Sequence, residues 1–182
     1  MRKLSLAALL LACGGKPPIA MTPHKASSTD AESMFAPLDV GADFASYHKV
    51  STEPFLSKTH GGRFVEVYVN DVGLKAYMSA APFPVGSVVV KMSWEPKDGK
   101  PSDVAGPLFV MRKEVADYAP EHDDWYYAIR WETPPPEQLR LLGGPIYWRG
   151  RSQKVGYCQK CHDNYDRSMG GVPTGKRAWE AK

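Results

Sequence analysis

The run RFVEVYVN, residues 63–70, constrains the fold more than any other stretch, because Val65, Val67 and Val69 alternate with Phe64, Glu66 and Tyr68. A period of two is the repeat of a pleated strand; a helix cannot gather those valines on one face. Three further runs follow it. VGSVVVKMSW, residues 85–94, sets Val88, Val90, Met92 and Trp94 on one face and Val89 with Lys91 on the other. LFVMRK, residues 108–113, predicts a third strand. DWYYAIRWE, residues 124–132, predicts a fourth, with Trp125, Tyr127, Ile129 and Trp131 on one side. With 16 Gly and 16 Pro marking turns, the predicted fold class is α+β, a mainly antiparallel β-sheet with a few short helices.

Between the strands, residues 42–50 read as a first helix, since Phe44, Tyr47 and His48 fall on one side at helical spacing. Residues 71–80 read as a second, capped by Asn70 or Asp71. Residues 95–107, rich in Asp, Gly, Lys and Pro, read as a loop. After Pro134, Pro135 and Pro136, a segment with Leu139, Leu141 and Leu142 passes two glycines and enters YCQKCH. The chain of 182 residues suffices for one domain. Five Trp and nine Tyr suit a sheet, or the walls of a pocket for a large flat ligand.

The N-terminus, MRKLSLAALLLACGGK, has the short basic start and apolar run of an export signal, too short to span a bilayer stably. Leu10-Leu11-Ala12-Cys13 also resembles a bacterial lipobox. Residues 1–12 are then a lipoprotein-type signal peptide, and Cys13 is the acylated first residue of the mature chain. Acyl chains add about 0.8 kcal/mol per buried methylene, enough in combination to anchor a domain to a membrane. Gly14 after the cysteine resembles the signal for passage to the outer membrane, which gives a periplasmic location in the bacterial cell envelope. Residues 13–33, mostly Pro, Ser, Thr, Lys and Ala, read as a flexible tether, and residues 34–182 as one domain. Loss of Arg2 and Lys3 leaves 21 basic against 20 acidic side chains, no electrostatic ground for binding nucleic acid.

Cys158-Gln159-Lys160-Cys161-His162 carries the chemistry. It matches C-x-x-C-H, in which two thiols form thioethers to the vinyl groups of one haem c and the histidine ligates its iron. Zinc is a second reading; the motif supplies three of about four ligands, leaving His24, His48, His60 or His122 as a fourth. A redox disulfide is a third, without the strand–helix context of a thioredoxin. Export agrees with haem, which is attached outside the cytoplasm. An axial partner opposite His162 would favour electron transfer, and Met78, Met92, Met111 and Met169 are candidates.

Together HGGRFVEVYVN, PVGSVVVKMSW, GPLFVMRK, DDWYYA and the late CQKCH resemble the cytochrome P-460 family, over residues 44–162. That resemblance implies a sheet-rich, usually homodimeric c-type cytochrome with a five-coordinate haem. The best-known members oxidise hydroxylamine to nitrous oxide or nitrite and pass electrons to a redox partner cytochrome. Their haem carries a lysine bonded to a porphyrin meso carbon, and the lysine of the matching strand is Lys91. An amine is nucleophilic only when neutral, and burial beside Val88, Val89 and Val90 would favour that form. The resemblance also implies a distal acid between the third and fourth strands, for which Glu114 and Asp117 are the candidates. Related beta-type cytochromes c-prime bind nitric oxide under an apolar aromatic cap, which Phe83 and Phe109 could supply.

Overall fold

In the computed structural model, which describes residues 43–181, the alternating valines become the centre of one sheet. The strands are β1 (His48–Lys49), β2 (Phe55–Ser57), β3 (Arg63–Val69), β4 (Val88–Lys97), β5 (Lys100–Ala105), β6 (Leu108–Lys113), β7 (Trp125–Trp131) and β8 (Ile146–Arg149). Their order is β1-β3-β4-β6-β7-β8, with β2 on β3 and β5 on β4, and every pairing is antiparallel. Three short helices, α1 (Asp71–Tyr77), α2 (Pro136–Leu142) and α3 (Gly156–His162), complete the α+β fold.

Register decides which side chains share a face. Val67 stands opposite Lys91 across β3 and β4, and Lys91 opposite Phe109 across β4 and β6. Val65, Val67, Val69, Val89, Met111, Trp125, Tyr127, Ile129 and Trp131 form one core cluster, together with Phe83 and Val155. Val88, Val90, Val110, Tyr126 and Ala128 form the other, closed by Tyr118 and Ala119. At about 25 cal/mol per Å² of buried apolar surface, these two layers supply the main drive to fold.

Asn70 shows how local chemistry fixes the frame. Its Oδ1 accepts from the backbone N–H of Gly73 at 3.1 Å and of Val88 at 2.9 Å, while Nδ2 donates to Gly86 O at 2.9 Å. One side chain thus caps α1, an effect of about 1 kcal/mol, and ties the start of β4 to it. A Cβ on Gly73 would lie 3.0 Å from Ser87 Cβ and 3.1 Å from Val69 Cγ1, so any side chain there would press those neighbours aside by a few tenths of an ångström.

Several expectations are corrected. Where a helix was expected over residues 42–50, the described part, residues 43–50, holds a single 3-10 turn, Phe44–Ser46, that gives way to β1, whose backbone pairs with β3. Phe44 and Tyr47 do share a side, packed against the second cluster, but His48 bonds Asp71 instead. The strand expected over residues 85–94 begins only at Val88, after a turn in which Gly86 has φ +87°, and continues to Lys97. Residues 95–107 are a hairpin rather than a loop. Asp98 at φ +51° and Gly99 at φ +74° make the tight turn that lets β5 fold back on β4. Edge strands β2 and β8 answer to no periodicity in the sequence; each is fixed by its partner. Cys13, His24 and the expected domain start at Met34 lie outside the described residues. Among those described, no helix is long and apolar enough to cross a membrane.

Candidate functional site

A partly enclosed cavity of about 250 Å³ lies on the face of the sheet that carries Val65, Val89, Lys91, Phe109, Met111 and Tyr127. Its opposite wall is α3. Ser152 accepts from the N–H of Lys154 to start the turn before that helix, and fully buried Val155 anchors it in the core. Cys158, Cys161 and His162 then stand at i, i+3 and i+4, the spacing that puts three side chains on one helix face. All three line the cavity.

His162 is 7% exposed, and its Nδ1 lies 2.7 Å from the carbonyl of Ser168. A carbonyl only accepts, so Nδ1 carries the proton and donates, leaving the lone pair on Nε2 for a metal. Burial, helped by the charge of Lys91, pushes the imidazole pKa down to about 4, so the ring is the neutral form that ligates. Cys158 is pushed up to about 11, first by burial; it is held as a thiol, and a thioether at that sulfur would remove the cost of a buried thiolate. Neither cysteine is in a disulfide.

Lys91 is 7% exposed, and burial lowers its pKa to about 8 against a smaller opposing pull from the two cysteine sulfurs. About a tenth of such an amine is already neutral at pH 7. Its hydrogen-bond partner is His60, whose Nε2 lies 3.3 Å from Nζ. Nζ donates, so the His60 proton sits on Nδ1, 2.7 Å from Ser57 Oγ. Burial, then Lys91 and His162, hold His60 far below its usual pKa. Phe109 packs edge-on against it at 4.7 Å between ring centres.

His60 is the site residue that sequence reasoning missed as such. It had entered only as a spare zinc ligand in the HGGR segment, and its approach to Lys91 follows from the 3-10 turn Lys58–His60, closed by Gly61 at φ +76°. Arg63 of that segment is structural: it donates to Glu95 at 2.7 Å and covers Trp131 at 5.2 Å. Neither distal-acid candidate lies in the cavity wall. Glu114 accepts from Arg112 at 2.5 Å, and that guanidinium covers Tyr126 in the cluster on the opposite face of the sheet. Asp117 is exposed in a turn at φ +69°. Of the two cap candidates, Phe109 lines the cavity, whereas Phe83 is packed on Trp125 at 5.1 Å in the core. Of the four methionines only Met111 lines it.

The donor set fits a haem c: two thiols and a neutral imidazole on one helix face, opposite flat apolar walls of valine, phenylalanine and tyrosine. It fits zinc poorly. His48 is spent on Asp71 and His122 on Asp163; His60 lines the cavity but is held between Ser57 and Lys91, and no group of three or more His, Cys, Asp or Glu among the described residues is placed to hold a metal ion.

A sheet whose one face opens on such a cavity, with its donors on a late helix, defines a haem-binding cytochrome. A sequence model of cytochrome P460 matches residues 42–168, and the chain belongs to the cytochrome P460 family, whose members bind haem c. No curated protein matches it.

Proposed function

We propose that this cytochrome oxidises hydroxylamine or a related nitrogen oxide at an open iron site of one covalently attached haem c. The observation that supports this best is Lys91, a buried amine in the same cavity as Cys158, Cys161 and His162. Cys158 and Cys161 would hold the haem by thioethers, and His162 Nε2 would ligate the iron. Bound there, the haem would supply a redox centre that binds small nitrogen oxides. The residues do the rest. Ser168 orients His162, His60 holds the Lys91 amine in place for a bond to the haem edge, and Val65, Val89 and Phe109 exclude water.

Electrons released by the substrate would pass to a redox partner cytochrome, since a single haem cannot store several. The N-terminal signal and Cys13 support an exported, lipid-anchored protein on the periplasmic side of the outer membrane, and the family resemblance supports a homodimer. Hydroxylamine turnover with an added cytochrome acceptor tests the reading. Turnover lost in Lys91→Arg would support it, and no turnover by a fully haem-loaded protein would refute it.

A second reading, binding of nitric oxide without turnover, is favoured by one observation: the described cavity wall contains Phe55 and Phe109 but no carboxylate. Nitric oxide or carbon monoxide binding to the ferrous protein, with no consumption of hydroxylamine, would select it. Resistance to both gases would point to Met111 as a sixth ligand and to an electron carrier.

A further inference from the structure

We infer that Arg167 is a positioning residue for the iron ligand, acting through the Ser168 carbonyl that orients His162. This rests on the reading of His162 as that ligand. The carbonyl belongs to a left-handed pair, Arg167 at φ +53° and Ser168 at φ +55°. Neither residue type adopts that conformation readily, and two in succession persist only where the surroundings impose it.

The contact that reaches farthest along the chain is the Arg167 side chain. Its Nη1 donates to Ala76 O at 2.9 Å and to Ala81 O at 2.7 Å, and the guanidinium lies over the Phe83 ring at 5.2 Å. Phe83 is itself fixed edge-on against Trp125 and Tyr77. The turn after α3 is thereby pinned to the end of α1, about 90 residues earlier in the chain. Other bonds in the turn, Ser168 N–H to Tyr165 O and Met169 N–H to Asp166 O, are local. Ser168 also meets the Tyr127 hydroxyl and Met169 packs against the main cluster, so the sheet holds the turn from one side and Arg167 ties it to α1 from the other. Ser168, buried on this pinned turn, therefore presents its carbonyl to His162 Nδ1 at a fixed place.

A hydrogen bond to the outer nitrogen fixes the plane of a ligating imidazole and raises its basicity. Releasing the clamp should weaken both effects. The iron–histidine stretch of the ferrous protein should fall in frequency, and the midpoint potential should rise, because a less basic ligand stabilises ferric iron less.

Two variants of the full haem-loaded protein test this. Arg167→Gly removes the guanidinium and the left-handed strain together, so the turn can still form. Arg167→Lys keeps the charge but loses the planar fork. Both should carry the haem mass, and both should show the two shifts, glycine more than lysine. Parent-like stretch and potential in both variants, even with a lower melting temperature, would overturn the inference and leave Arg167 structural. Should Arg167→Gly fail to mature, Arg167→Lys decides alone. A five-coordinate ferrous parent with no iron–histidine stretch would overturn the reading of His162 and the inference with it, and in a six-coordinate parent the midpoint potential alone decides.

Discussion

On the face of the sheet turned away from the cavity, buried Glu114 accepts from Arg112 at 2.5 Å and buried Glu66 from Lys49. On the cavity face Lys91 is buried to the same degree as Glu66 and meets a neutral histidine instead of a carboxylate. Neighbouring strands of one sheet thus treat buried charge in two ways. Paired charge is neutralised where it stands and serves the fold. An unpaired buried amine has its proton loosened instead, which costs stability and creates a nucleophile. Position in the fold, more than residue type, separates a structural ionisable group from a functional one, and that is why Glu114 belongs to the frame and Lys91 to the site.

The largest expected effect is on the paired side. Glu114→Leu would leave the Arg112 guanidinium, whose Nη2 already has no partner, buried without its counter-charge. Urea denaturation should show a loss of about 3 kcal/mol, with the ferrous spectrum unchanged. Retained stability with an altered spectrum would break the comparison by placing Glu114 in the site.

Lys91→Met should do the reverse. In the haem-free chain at pH 7 it should stabilise the fold by about 1–2 kcal/mol, because an isolated buried ammonium is replaced by an apolar chain. The sign of the pH dependence follows from the lowered pKa. Between about 8 in the folded chain and the ordinary lysine value of 10.5, the unfolded chain binds more protons, so the parent gains stability as pH rises. The advantage of Lys91→Met should therefore shrink across that window. A constant difference from pH 7 to 10.5 would show that Lys91 is solvated.

His60→Leu keeps the volume beside Phe109 and removes the acceptor for Nζ. Stability should change by no more than about 1 kcal/mol, while the fraction of haem bonded to lysine falls, as read by mass spectrometry of haem peptides. An unchanged fraction would mean that burial alone orients the amine. The smallest effect belongs to Asp117→Gly, which relieves a left-handed residue and should add about 0.5 kcal/mol without altering nitric oxide affinity. A changed affinity would return Asp117 to the pocket.

The central strands were legible in the sequence because their alternation is imposed by burial on two faces: β3 and β7 fall within two residues of expectation, and the face of Lys91 was read correctly. Asn70 as a cap was legible because capping is local. β2 and β8 were not, since a strand of three or four residues has no period of its own and exists through its partner. β5 was missed although Asp98-Gly99 is a hairpin signal, because Lys100, Pro101, Ser102 and Asp103 carry no apolar face. Within the site, CxxCH announces itself by spacing along one helix. The approach of His60 to Lys91 joins residues 31 apart and could only be found in the folded chain. That Glu114 stands away from the cavity was hidden for a related reason: the sequence placed it in a loop, whereas in the folded chain it lies just past β6 and bonds Arg112 on the other face.

The most direct test is the intact mass and ferrous absorption spectrum of one sample, purified from a host that matures c-type haem. The account predicts a haem adduct retained after denaturation, lost in the Cys158→Ser, Cys161→Ser double variant, and a broad, strongly red-shifted Soret band that reverts to an ordinary c-type band in Lys91→Met. A parent that acquires no haem adduct would contradict it.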